Sequence, residues 1–129
     1  MTGVLLDTNA LLWVLAGHVD LGERTRALLK ASRPVHFSAV SVLEITIKQM
    51  LGRLDVPGDL SDGAQRAGLL ELPFRADHAS RLLDFPSLSR HDPFDRMLLA
   101  QAAADQLHLV TSDRLLLSLG VGWVVDART

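Results

Sequence analysis

The feature that most constrains this 129-residue chain is a repeated pattern of short apolar runs, each followed by a stretch with helical spacing. Gly3-Val4-Leu5-Leu6 ends at Asp7-Thr8-Asn9, and Ala10 to Ala16 is then apolar on every face. The run reads as a buried strand meeting a turn, and the stretch as a helix covered on most sides. Val35-His36-Phe37-Ser38, Leu70 to Phe74, Leu107 to Thr111 and Gly122 to Val125 are the other strand candidates. Asp20 and Glu23 form an acidic variant of a capping box that starts a second helix, which Pro34 breaks. A third helix runs from Ser38 or Ser41 to Leu51, and Gly52 ends it. Asp55 to Gly63 reads as a loop, Ala64 to Leu69 as a short helix, and Asp77 to Leu83 as a helix stopped by Pro86. After a loop at Ser87 to His91, Asp92 as N-cap and Pro93 at the first helical position open the strongest helix, Arg96 to Gln106. Ser112 to Arg114 is a turn and Leu115 to Leu119 a short helix. Strands alternating with helices predict an α/β domain with a mostly parallel sheet. The length predicts one domain, and no repeat, low-complexity tract or linker interrupts it.

With 48% hydrophobic residues, the chain can bury a core without disulfides or a structural metal. The absence of cysteine excludes a disulfide scaffold, a thiolate zinc site and a cysteine nucleophile. No apolar run approaches the ~20 residues of a membrane span. The opening Met1-Thr2-Gly3 lacks the basic and long apolar regions of a secretory leader, so a soluble cytoplasmic protein is expected. A net charge of −2 argues against a strongly basic nucleic-acid-binding domain. The acids are 12 Asp and 3 Glu against 11 Arg and 2 Lys. A GC-rich coding sequence accounts for much of the Arg and Ala excess, but not for where the Asp residues sit.

In an open α/β sheet, ligands bind outside the carboxyl ends of the strands. Four acids fall at that edge by topology. Asp7 follows the first strand, Glu44 lies on the helix after the second, Asp95 is in the first turn of the long helix, and Asp113 lies just beyond the fourth strand. Each has a local alternative. Asp7 can cap the next helix, Glu44 can pair with Ser41 in a capping box, Asp95 suits the helix dipole, and Asp113 suits a turn. Glu44, however, sits amid Val42, Leu43, Ile45 and Ile47, where an unpartnered carboxylate is costly. Carboxylates gathered this closely repel, and Mg²⁺ or Mn²⁺ takes oxygen ligands of this kind while leaving room for a phosphate. The chemistry indicated is metal-assisted phosphodiester hydrolysis.

Val4-Leu5-Leu6-Asp7-Thr8-Asn9-Ala10-Leu11-Leu12-Trp13 resembles the opening of PIN-domain nucleases. Ser38-Ala39-Val40-Ser41-Val42-Leu43-Glu44-Ile45 resembles their second motif. His91-Asp92-Pro93-Phe94-Asp95-Arg96 and the helix to Ala102 resemble the third, and Leu109-Val110-Thr111-Ser112-Asp113 the fourth. The Asp-Pro-Phe-Asp-Arg core of the third is the most specific. Together the motifs resemble the VapC toxin branch of bacterial toxin–antitoxin pairs. The resemblance implies a PIN-like three-layer α/β/α sandwich spanning residues 1–129, with four to five strands. It implies that Asp7, Glu44 and Asp95 bind Mg²⁺ or Mn²⁺, with Asp113 a more variable fourth acid. It gives Thr8 and Asn9 supporting hydrogen bonds. It further implies endoribonuclease activity on RNA, tRNA included, a homodimer, and a VapB-like antitoxin whose tail fills the acidic site.

Arg96 and Arg114 each follow a site acid and can hold phosphate, although helix solvation or an internal ion pair accounts for them equally well. His91 reads as a loop histidine without a role. His18, His36, His78 and His108 show no ligand spacing, and Trp13 reads as core or dimer surface. Six aromatics and no Tyr do not support a base-stacking platform. A haloacid-dehalogenase-like phosphatase needs a second Asp where Asn9 stands, and a receiver domain needs a late Lys, whereas Lys30 and Lys48 come early. The remaining competitor is a PIN-like module that binds RNA or antitoxin without cleaving.

Overall fold

The computed structural model describes residues 3–32 and 34–129; Met1 and Thr2 of the opening, and Arg33, lie outside it. β1 (Val4–Leu6) pairs with β2 (Val35–Ser38) on one side and β4 (His108–Thr111) on the other. β2 pairs with β3 (Leu70–Leu72), and β4 with β5 (Val124–Asp126). Every ladder is parallel and the strand order is β3-β2-β1-β4-β5. Both faces of the sheet are covered, which is why β1 is a continuous apolar run with Val4, Leu5 and Leu6 all fully buried.

Side chains alternate across the sheet and divide the core in two. Val4 and Leu6 face a cluster with Phe37 and Val110, covered by α1 (Thr8–Ala16), α2 (Glu23–Ala31) and α4 (Leu60–Arg66). Leu5 and Leu109 face the opposite way, onto Leu98, Leu99 and Ala102 of α6 (Pro93–Asp105) and Leu116 of α7 (Arg114–Leu117). α3 (Ala39–Met50) contributes to both layers through Val42 and Val40. α5 (Ala76–Ser80) packs on α6. The three-layer sandwich expected from the sequence is therefore formed, with five strands. Among the described residues no helix is long and apolar enough to cross a membrane.

Local details depart from the sequence reading. The Asp20–Glu23 box does not form: Gly22 is the N-cap of α2 and makes no side-chain cap bond. A Cβ at Gly22 would lie 2.2 Å from the carbonyl carbon of Thr129, so the close approach of the C-terminal residues requires glycine here. Ser38 caps α3, its Oγ accepting from the Val40 N–H at 2.9 Å, so Ser41 and Glu44 lie inside the helix rather than boxing its end. β2 runs straight into α3, and the last strand residue becomes the cap. β3 ends at Leu72 because Pro73 cannot donate to a ladder. Two 3₁₀ turns, Arg81–Asp84 and Pro86–Leu88, replace the end of the helix and the loop expected there. Asp92 does cap α6, with Pro93 at its first position.

The chain leaves β1 toward β2 and β3, then crosses back to place β4 on the other side of β1. This reversal opens a crevice at the carboxyl ends of β1 and β4.

Candidate active site

Asp7 enters that crevice from the end of β1. Its backbone N–H donates to the Val110 carbonyl (2.9 Å), which fixes it between the two strands. Its Oδ1 accepts from the Ala10 N–H at 2.7 Å, capping α1, and its Oδ2 accepts from the Thr111 hydroxyl at 2.6 Å. Asp7 is 3% exposed. Burial pushes its pKa up to about 6, against the pull of these hydrogen bonds.

Glu44, on α3, resolves the cost of its apolar surroundings with two partners. Oε1 accepts from the Thr8 hydroxyl and Oε2 from Lys48 Nζ, each at 2.7 Å. Thr8 gives its single proton to Glu44, so Ser41, 2.9 Å away, donates to Thr8 in turn. Asn9 spans the crevice mouth by donating to Ser112 Oγ at 2.8 Å.

Asp95 and Asp113 come from the far side. Asp113 is the N-cap of α7: its Oδ2 accepts from the Leu116 N–H at 2.9 Å, and its own N–H donates to Thr111 Oγ1. Asp95 stands in the first turn of α6, and no hydrogen-bond donor among the described residues reaches its carboxylate. Burial, then the charges of Asp92, Asp113, Asp7 and Glu44, push its pKa up to about 7. His91 Nε2 lies 3.4 Å from Asp95 Oδ2 and 3.2 Å from Asp113 Oδ2.

The four acids line one cavity of about 450 Å³ together with Thr8, Asn9, Lys48, Ser112 and Arg114. Arg96 does not line it; its Nε is buried without a hydrogen-bond partner. Lys48, Ser41, Thr111, Ser112 and His91 are polar residues at or beside the site that the sequence reading did not place there. Lys48 follows Glu44 by four residues and His91 precedes Asp95 by four, so helical spacing carried a signal for both. Ser41 and Thr111 act through partners 33 and 104 residues away, which no local pattern reveals.

Four carboxylates face two cationic side chains across the cavity. The surplus negative charge needs protons or a cation. A donor set rich in carboxylate oxygen, with Asp95 lacking any donor of its own, suits a hard divalent ion.

The PIN domain family model matches residues 4–120. The chain belongs to the PIN domain family. No curated protein matches the sequence. Solved structures similar to this PIN domain include a chain of a toxin–antitoxin complex from Klebsiella pneumoniae, at 19% identity and a TM-score of 0.66, covering 96% of this chain and 97% of that one. A chain of VapBC2 from Rickettsia felis, bound to a DNA fragment from the promoter, has 15% identity and a TM-score of 0.67, with 95% and 96% covered. A chain of DNA-bound VapBC from Salmonella typhimurium has 17% identity and a TM-score of 0.63, with 97% and 96% covered. At these identities the likeness shows that the PIN domain shares their fold over nearly its whole length.

Proposed function

We propose that this PIN domain is a Mg²⁺- or Mn²⁺-dependent endoribonuclease of the VapC type, held inactive by a VapB-like antitoxin. The observation that carries the reading is the convergence of Asp7, Glu44, Asp95 and Asp113 from four separate elements on one cavity. Membership of a family whose members are generally nucleases, and a fold shared with chains of toxin–antitoxin complexes, support it.

Asp7, Glu44, Asp95 and Asp113 would hold the cation, which when bound lowers the pKa of a coordinated water and offsets charge on the phosphodiester. The chain's own groups do the rest. Thr111 and the Ala10 N–H hold the Asp7 carboxylate in a fixed orientation. Thr8, backed by Ser41, does the same for Glu44. Lys48 and Arg114 border the acids and can receive the flanking RNA phosphates. Asp95, with a pKa near neutrality, is the carboxylate best able to take up a proton as the site fills and empties.

An acidic cavity invites a basic side chain from an inhibitor. An apolar stripe along α3 and its C-cap, with Leu43, Met50 and Leu51 all at least half exposed, gives a protein partner such as the antitoxin a surface to bury. A homodimer belongs to the same reading and is measured by light scattering. The test is cleavage of RNA by purified protein, with and without EDTA. Activity that chelation stops and Mg²⁺ or Mn²⁺ restores is the expected result. Equal cleavage by wild type and Asp95→Asn would sink the site assignment, and no cleavage by the metal-loaded wild type would favour a non-cleaving binding module.

A further inference from the structure

The two halves of the acidic cavity differ in how far their oxygens are already used. Both oxygens of Asp7 and both of Glu44 accept hydrogen bonds of 2.6–2.7 Å. Asp113 uses only Oδ2 in this way, and the Asp95 carboxylate accepts none among the described residues. His91 does not line the cavity, but its ring stands beside the two acids of this open half. Its backbone N–H donates to the Leu88 carbonyl at 2.9 Å, and Leu88 is 2% exposed within the core, so the imidazole is held from an anchored turn. Nε2 is buried and makes no hydrogen bond, although the unbonded Asp95 Oδ2 lies 3.4 Å away and Asp113 Oδ2, which also accepts from the Leu116 N–H, lies 3.2 Å away. Neighbouring ligands of an octahedral ion with bonds of about 2.1 Å lie about 3.0 Å apart, close to the two distances from Nε2, and the ligand atoms of His91, Asp95 and Asp113 lie within 4.8 Å of one another. His91 is the one ion-pair partner of these two acids among the described residues.

We propose that His91 Nε2 joins the Asp95 and Asp113 carboxylates as a ligand of the divalent cation, giving a mixed nitrogen–oxygen site that favours Mn²⁺ over Mg²⁺. The inference rests on the metal-dependent reading above, and adds to it a nitrogen donor. Mg²⁺ takes oxygen ligands and gives up water reluctantly, whereas one imidazole among carboxylates favours a first-row transition ion.

The experiment uses the full chain, stripped with EDTA and titrated with Mn²⁺ alone. Pulsed electron paramagnetic resonance of the bound ion should show coupling to an imidazole ¹⁴N. His91→Ala, verified as folded by its thermal melt, should lose that coupling. It should also bind Mn²⁺ about tenfold more weakly, with Mg²⁺ affinity, measured by competition, changed far less. Mn²⁺ bound without nitrogen coupling, or coupling that survives in folded His91→Ala, overturns the role of His91 while leaving the metal-dependent reading intact. Failure of the wild type to bind Mn²⁺ at all overturns both. Should His91→Ala not fold, His91→Gln takes its place: loss of the imidazole coupling supports the role of His91, and coupling that survives, as a nitrogen from the His78 cluster would give, overturns it.

Discussion

Helix α6 carries a histidine–aspartate cluster at each end, and the two have opposite electrostatic solutions. Asp95 and Asp105 are ten residues apart on it, about 15 Å along the axis. At the C-terminal end, His78 Nε2 lies 3.2 Å from Asp105 Oδ1, much as His91 approaches Asp113 at the other end. There, however, the Arg75 guanidinium bonds Asp105 at 2.7 Å and Asp77 at 3.0 Å, while the Arg75 N–H donates to His78 Nδ1. Arg75 holds Asp77 below the usual carboxylate range. At the N-terminal end no guanidinium among the described residues pairs with Asp95 or Asp113, and Asp95 is pushed up to about 7. The same residue types thus make a finished scaffold where the chain supplies its own cation, and an unfinished site where it does not.

The largest effect expected is on activity. Asp95→Asn should reduce RNA cleavage on the order of a thousandfold, the scale of removing an active-site electrostatic group, in a gel assay with a defined RNA. Asp105→Asn should leave cleavage unchanged; an equal loss in both variants would erase the distinction between the clusters.

Next is the pH dependence of stability without metal. Asp7 has an ordinary pKa of 3.8 when unfolded and about 6 when folded, so the native state binds the extra proton. Stability is therefore greatest at low pH within this pair of states and falls as pH rises from about 4 through 6. For Asp7 this amounts to about 3 kcal/mol. Asp95 extends the fall to about pH 7. Urea melts in EDTA should show this slope, and Asp7→Asn should flatten it. A slope unchanged in that variant would locate its origin elsewhere.

Added Mn²⁺ should reverse the penalty at neutral pH. A hundredfold excess over Kd stabilises a one-site protein by about 2.7 kcal/mol, read as a rise in Tm. Asp105→Asn should keep that rise and Asp95→Asn lose most of it. The smallest effect belongs to the finished cluster. Arg75→Ala breaks largely exposed ion pairs, so only a slight fall of the urea midpoint is expected, with cleavage intact.

The sequence made the alternation of layers legible because buried parallel strands are unbroken apolar runs, as Val4-Leu5-Leu6 is. Asp92 and Pro93 were legible because a helix start is a local event. The four acids could be placed at one edge because Asp7 and Asp113 follow strands, Asp95 lies in the first turn of its helix, and Glu44 lies on the helix that follows β2. What stayed hidden depends on contacts distant in sequence. Ser41 read as half of a capping box with Glu44 until β2 proved to run directly into α3, which makes Ser38 the cap. His91 looked idle because one of its two carboxylate neighbours lies beyond β4 in the chain.

Asp7 and Asp113 each serve a helix as N-cap as well as lining the cavity. Asparagine caps a helix as well as aspartate does, and the two differ by a single codon base. A lineage under pressure to silence this site therefore has a path one nucleotide long that removes the charge and spares the helix. Alanine at either position would discard both at once. The way these acids are built into the fold makes a folded descendant without the acidic site an easy evolutionary neighbour of this chain.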